Sequence, residues 1–532
     1  MKNIYLIYIK YLVFLVAFFL ISYSLHAQTI ATGYVYHDKN ENGKKDRSEK
    51  GISGVSVSNG VQVVQTDGQG KYSVPVEEDN IIFVIKPENY RLPVNDKYLP
   101  QFYYIHKPQG SPSNLKYKGV APTGPLPKSV DFALIPQREN DEFTHLVFGD
   151  PQPYNLREVD YFSKGIVAEI TDTDNIAFGL SLGDLVGNNP DLFQPYAKAI
   201  SQLRLPWFNV IGNHDINFDV EVDSLSDEAF EANFGPTNYA FNYGKVHFII
   251  LDNIIYPNPK TGKGYIGGFQ DSQLEFIKNN LQYVSKDKLV VVAFHIPLRD
   301  RLGRPLYRVE DRERFFELLA PFPHTLSLSA HTHVQYQDFF DKEAGWQQDK
   351  PHHHYNVGTT SGDWYSGELD DQGIPISTMR DGTPKGYAYI NYTGNQYTID
   401  YKVAGKPADY QIKIHIPHVA QQKSNLYKIV ANFFMGSSKD EVMYRVGDSK
   451  WRPMKFVEQP DPGNIWDFHK WDFSEELLNG RKPKVPDSAL HIWEASLPTN
   501  LEEGEYTVEV KATDMYGRVH IGKSSYRIEA GK

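Results

Sequence analysis

The stretch Ile211-Gly212-Asn213-His214-Asp215 decides the reading of this chain: an apolar run ends at Ile211 and gives way at once to an amide, an imidazole and a carboxylate. Four further stretches follow the same grammar. Phe148 leads into Gly149-Asp150-Pro151-Gln152, Leu182 into Gly183-Asp184, Phe294 into His295, and Leu328 into Ser-Ala-His331-Thr-His333. Helix-like segments at 159–170, 191–203, 271–284 and 311–319 lie among these runs. Strands alternating with helices indicate a βαβ-type sheet. In open α/β sheets ligands bind beyond the carboxyl ends of the strands, so residues far apart in sequence can gather in one cleft.

Each motif alone has an ordinary explanation. Gly-Asp is a turn, Asn-His-Asp can cap a helix, and one His after a strand is more often packed than ligating. His331 and His333 fall on one side of a strand by alternation. Five such motifs in order, each after an apolar run, point to metal ligands.

The ordered set Asp-x-Gln, Gly-Asp, Gly-Asn-His-Asp, His and His-x-His resembles the calcineurin-like metallophosphoesterases over roughly residues 143–400, in the exported bacterial type with flanking β modules. The resemblance implies an α+β multidomain chain with a central four-layer α/β/β/α sandwich and two divalent metal ions. It implies that Asp150, Gln152, Asp184 and His333 hold one ion. Asp184 would bridge to the second, held also by Asn213, His295 and His331. His214 would then be catalytic without binding metal, with Asp215 orienting its ring. A bridging hydroxide would attack phosphorus in line between the two ions.

Two departures stand out. Family members usually carry His where this chain has Gln152, and an amide oxygen is a harder ligand than imidazole. That favours Mn²⁺, with Mg²⁺, Zn²⁺ or iron open. Purple acid phosphatases carry a Tyr three residues after the Gly-Asp aspartate, where this chain has Gly187, so a tyrosinate–iron centre is not expected. Downstream, Ser361-Gly-Asp-Trp364-Tyr365 and Met379-Arg380-Asp-Gly-Thr-Pro384 resemble loops of exported members. Trp364 and Tyr365 would stack on an organic leaving group and Arg380 would hold a phosphate oxygen, or all three are ordinary loop packing. His352-His-His354 reads as a strand with alternating faces rather than a metal tract.

The flanks read as β. Residues 28–136 carry short β-prone runs between Asn-Gly and Asp-Gly turns, then a long Pro- and Tyr-rich connection at 87–127. Loops of that length usually cover or bind something. Asp38, Asn40, Asn42, Lys44, Asp46 and Glu49, with Gly43 at the sixth position, fit a twelve-residue Ca²⁺ loop, against the plain reading of a solvated turn. After the catalytic segment 143–404, residues 410–532 read as all-β, a second sandwich of immunoglobulin or fibronectin type III kind.

At the start, Lys2 and Lys10 precede an apolar run that is followed by Ser-Tyr-Ser-Leu-His-Ala27, the pattern of a signal peptide spanning 1–27. The mature protein is therefore expected in a bacterial periplasm or outside the cell, with no transmembrane segment. With no cysteine, disulfides and thiolate metal sites are excluded. A net charge of −11 without a long basic run makes nucleic acid an unlikely partner class. The expected activity is metal-dependent hydrolysis of a phosphomonoester or phosphodiester, on a phosphorylated small molecule or an envelope or glycan phosphate. The rival is a non-catalytic envelope adhesin or glycan-binding protein with a structural metal site. Retention of His214 beside a full ligand set favours the enzyme.

Overall fold

A computed structural model describes residues 29–531. The expected signal peptide lies outside the described residues. The fold is α+β, mostly strands with few helices.

Two sheets make the centre. In one, Trp207–Val210, Ile176–Leu182 and Glu142–Phe148 run parallel, and Gly386–Thr393 and Gln396–Val403 continue the sheet antiparallel. In the other, Val246–Ile250, Leu289–Ala293, Thr325–Ser329 and His352–Asn356 run parallel, edged by antiparallel Tyr239–Tyr243 and Tyr336–Phe340. The expected alternation of strand and helix is there, divided between two sheets rather than one. Parallel strands covered on both faces read as unbroken apolar runs, and Leu-Val-Val-Val-Ala at Leu289–Ala293 is buried throughout. Phe178 of the first sheet lies 5.3 Å by ring centroids from both Phe241 and Phe248 of the second. Offset and edge contacts of this kind add to the burial of the rings.

The helices Leu156–Gly165, Phe193–Ile200, Asp271–Leu281 and Val309–Leu319 overlap the four expected segments. Asn155 caps the first, accepting from Glu158 N.

The N-terminal strands Thr29–His37, Lys71–Val76, Phe132–Pro136 and Tyr90–Arg91 form one sheet, and Val63–Gln65, Ser56–Ser58, Asn80–Val84 and Tyr103–His106 another. The long connection 87–127 does cover something. The Tyr117 hydroxyl donates to Asn188 O at 2.9 Å, and Asn217 Nδ2 donates to Tyr117 O at 3.0 Å. Lys107, buried with Glu228, ties the same segment to the helix Glu228–Phe234 at 2.6 Å.

Beyond residue 404 the chain forms a four-stranded and a five-stranded sheet. The all-β expectation misses one element there, the helix Pro462–Phe473. Its signal was local: Asp461 accepts from Asn464 N as the cap, and Pro462 takes the first helical position. Among the described residues no helix is long and apolar enough to cross a membrane.

Candidate metal centre

All five motifs converge beyond the strand ends. Asp150, Gln152, Asp184, His331 and His333 each hold a positive φ, from +37° to +70°. Side chains other than glycine avoid this region, at a cost of order 1–3 kcal/mol each, and such residues cluster where function over-determines the backbone. Gly183, at φ +87°, allows the close approach of His295: a Cβ there would meet His295 Nδ1 at 2.6 Å.

Asp184 lies at the centre. His295 Nε2 is 3.3 Å from Asp184 Oδ1, and His214 Nε2 is 3.9 Å from Oδ2. Ligand atoms of Asp184, His295 and His331 all fall within 4.8 Å of one another. Asn213 Oδ1 stands 3.1 Å from His295 Nε2, and His331 Nδ1 3.2 Å from it. On the other side His333 Nε2 faces Asp150 Oδ1 at 3.6 Å. Gln152 N donates to Asp184 O at 2.8 Å, and Gln152 Nε2 donates to the Tyr154 hydroxyl at 3.4 Å.

The donor set fits cations. His295 Nδ1 donates to Leu182 O at 2.7 Å and His333 Nδ1 to Gly362 O at 2.8 Å. Those backbone carbonyls engage each Nδ1, so each Nε2 faces the cluster. Asp150 Oδ1 and Gln152 Oε1 are buried with no hydrogen donor, a costly state unless a cation faces them. Burial first, and then the neighbouring Asp184, push Asp150 well above the usual carboxylate range. Burial also acts to raise Asp184, but His295 and His214 hold it below that range. Burial opposes a charge on His295, yet Asp184 and Asp150 raise it to about 9. The position therefore calls for positive charge.

Two expected roles need correction. Asp215 does not touch the His214 ring. Its buried carboxylate accepts from Leu185 N and Val186 N at 3.0 Å and from Gly212 N at 2.8 Å, clamping the two loops that carry Asp184 and Asn213. Burial raises its carboxyl to about 8 against these three donors. The ring of His214 is oriented by Asn188, whose Oδ1 accepts from Nδ1 at 2.7 Å. Asn188 follows Gly187 in a Gly-Asn-Asn-Pro turn, and only that turn signal marked it in the sequence.

Tyr365 is 4% exposed, with its hydroxyl donating to Pro151 O, so it braces the Asp150–Gln152 loop and offers no stacking face. Trp364 stacks on the ring of His333, centroids 4.2 Å apart at 26°. Arg380 donates to Thr332 O at 2.6 Å and pairs with Asp487 at 2.8 Å, which ties it to the His331–His333 loop. His352 to His354 lie in a strand, with His352 and His354 bonded to the hydroxyls of Thr325, Ser327 and Ser329. Tyr154, unmarked in the sequence, covers Gly187: a Cβ there would meet its ring at 2.6 Å. Remote from the centre, Asp38, Asn40, Asn42, Asp46 and Glu49 converge in one loop, where Gly43 N donates to Asp38 Oδ2 at 2.8 Å and Asn40 Nδ2 to Asp46 Oδ2 at 2.9 Å. Lys44 joins through its backbone N, which donates to Asn42 Oδ1 at 2.8 Å.

Residues 143–335 match the model of calcineurin-like phosphoesterase, 39–121 that of the N terminal of calcineurin-like phosphoesterase, and 354–520 that of its C terminal. No curated protein matches. Among solved structures, a purple acid phosphatase from yellow lupin (Lupinus luteus) seeds is 12% identical over 72% of this chain and 68% of its own, with a TM-score of 0.36. A β-glycosidase from Bacteroides vulgatus is 9% identical over 92% and 79%, with a TM-score of 0.17. At those scores neither structure says anything of this chain's activity. The three family models follow one another along the chain in the order N-terminal, catalytic, C-terminal, and the catalytic one spans every ligand motif from Asp150 to His333. The chain belongs to the calcineurin-like phosphoesterase family and is a metal-dependent hydrolase of phosphoric esters.

Proposed function

We propose that the chain hydrolyses phosphate monoesters or diesters at a binuclear metal centre. Asp150, Gln152, Asp184 and His333 would hold one ion, and Asp184, Asn213, His295 and His331 the other. The observation that carries this reading is the pair of orphaned oxygens, Asp150 Oδ1 and Gln152 Oε1, set among imidazole nitrogens whose Nδ1 atoms are engaged by backbone carbonyls. Bound divalent ions supply Lewis acidity toward the phosphoryl oxygens and toward water. With a neutral amide oxygen in the set, Mn²⁺ is the favoured ion.

The remaining chemistry falls to the chain's own side chains. Asn188 fixes the His214 tautomer and aims Nε2 into the cleft. The His214 side chain is 25% exposed, whereas those of Asp184 and His333 are 2% exposed, so substrate can reach it. A protonated Nε2 there stabilises charge on a phosphoryl oxygen or gives its proton to the leaving oxygen. Asp215 keeps the loops of Asp184 and Asn213 in register. The reading includes export after cleavage at Ala27, and an N-terminal β sandwich whose Asp38–Glu49 loop takes Ca²⁺. It also takes the central sheets as a four-layer sandwich with a second β sandwich behind it.

The test is hydrolysis of chromogenic mono- and diester phosphates with Mn²⁺ and with chelator. His214→Ala should lower turnover by about 10²–10⁴ fold while keeping two ions per chain. Loss of one ion equivalent in that variant would make His214 a ligand and defeat its assigned role.

A further inference from the structure

Arg481 arrives at the cleft from the C-terminal part of the chain. The short strand Gly480–Arg481 pairs antiparallel with Gly367–Glu368, just past Trp364 and Tyr365. Arg481 Nη1 donates to Trp364 O at 3.1 Å. Three residues on, Lys484 N donates to Asp363 Oδ2 at 2.6 Å, and Lys484 Nζ lies 5.8 Å from the centroid of the Trp364 ring. That ring stacks on His333. Two cations are thereby held beside an aromatic that touches a metal ligand.

Their neighbours are all paired. Arg380 meets Asp487, Lys470 meets Glu368 and Lys482 meets Asp472. Arg481 and Lys484 make no ion pair among the described residues, and both are exposed. At the same place Trp364 and Tyr365 both hold positive φ, +52° and +53°, and the Trp364 indole N–H is buried without an acceptor. Strained backbone held beside two unpaired cations suits a bound anion better than a packing contact.

We propose that Arg481 and Lys484 form a second anion subsite at the mouth of the metal centre, so that the substrates carry a further phosphate group close to the phosphoryl that is hydrolysed. This deepens the phosphoesterase reading and rests on it. The guanidinium fork takes phosphate oxygens in bidentate fashion, and Lys484 adds a point charge. Hydrogen bonds to charged groups are strong enough for the pair to contribute about 10- to 100-fold in affinity.

Two non-hydrolysable probes test this by titration calorimetry on the full chain with saturating Mn²⁺: methylenediphosphonate, with two phosphonates, and methylphosphonate, with one. The unmodified protein should bind the diphosphonate at least about tenfold tighter, and Arg481→Gln with Lys484→Gln should lose most of that preference. Equal binding of the two probes by the unmodified protein overturns the subsite alone. A preference that survives in the double variant reflects chelation of the ions and overturns it too. Binding of neither probe sinks the phosphoesterase reading of the cleft, and the subsite with it.

Discussion

Asp381 is where the His331–His333 loop is fastened to the C-terminal sheets, and its removal has a size that can be worked out. The carboxylate is 1% exposed. It accepts from Gln335 N at 2.6 Å and Thr383 N at 2.8 Å, and it meets His491 Nε2 at 3.1 Å. Gln335 lies two residues beyond His333, and His491 stands on the C-terminal strand Ala489–Ser496. Asp381→Ala strands two backbone N–H groups and one ring nitrogen in the interior. Each unsatisfied buried group costs about 1–3 kcal/mol, and removing one partner of a buried pair costs about 3–5 kcal/mol. These figures describe overlapping losses, so the expectation is about 3–5 kcal/mol in denaturant unfolding followed by tryptophan fluorescence. Ion retention after dialysis should fall as well, because Gln335 no longer anchors the loop of His333. Asp381→Asn keeps one acceptor oxygen and should fall between the variant and the unmodified protein. A loss below about 1 kcal/mol for Asp381→Ala, with ions retained, would refute the view that this carboxylate joins the two parts.

Gln152→Ala should weaken the first ion by roughly 10–100 fold, the scale of second-shell losses and so a lower bound for a ligand; metal analysis after dialysis reads it, and full occupancy would make Gln152 a bystander. His145, His247, His352, His353 and His354 are buried, which lowers each to about 3. The unfolded chain therefore takes up protons below about 6.5 that the folded chain refuses, so stability is full above that pH and falls toward pH 3. His145 has no partner on either ring nitrogen, so His145→Phe should flatten the acid slope by about 1.4 kcal/mol per pH unit, and an unchanged slope would place the uptake elsewhere. Ca²⁺ should raise the melting temperature of the unmodified protein but not of Asp38→Ala with Glu49→Ala; identical curves with and without Ca²⁺ would remove the N-terminal site.

Much of this was legible because strands buried on both faces end abruptly in polar residues. Leu182-Gly-Asp184 and Ile211-Gly-Asn213 announce both the sheet and the direction of its open end. What sequence could not supply was who faces whom across loops. Asp215 sits next to His214 in the chain, yet the turn that aims the imidazole outward sends the carboxylate back to three backbone N–H groups. Asn188, 26 residues away, takes the place that adjacency suggested for Asp215. Tyr365 and Trp364 are neighbours with opposite fates, one buried under the Asp150 loop and the other laid on His333, because left-handed backbone at both turns their side chains apart. The helix Pro462–Phe473 escaped notice among strands although Asp461-Pro462 is a helix start; its pattern lacks a clear apolar stripe, and Trp466 and Phe473 are exposed on it.

The strain at the ligands accounts for the shape of the rest of the molecule. Five left-handed residues need restraint, since each alone would relax toward an ordinary turn. Four of them are tied to one another across loops, and the His214 loop and the chain beyond residue 361 add restraints from outside. His331 N donates to Asp150 Oδ2 at 3.0 Å, and Gln152 N donates to Asp184 O at 2.8 Å. His214 N donates to Asp184 Oδ1 at 2.8 Å, so the His214 loop holds Asp184 in turn. His333 is fixed three ways, by Gly362 O on its ring, Trp364 on its face and Arg380 N on its carbonyl. Arg380 is itself fixed by Asp487 and by Asn464 of the late helix, whose Nδ2 donates to Arg380 O at 3.1 Å. The chain of restraints on His333 thus runs through residues more than 100 positions downstream. The sheets beyond residue 404 are in this sense part of what positions the His331–His333 loop.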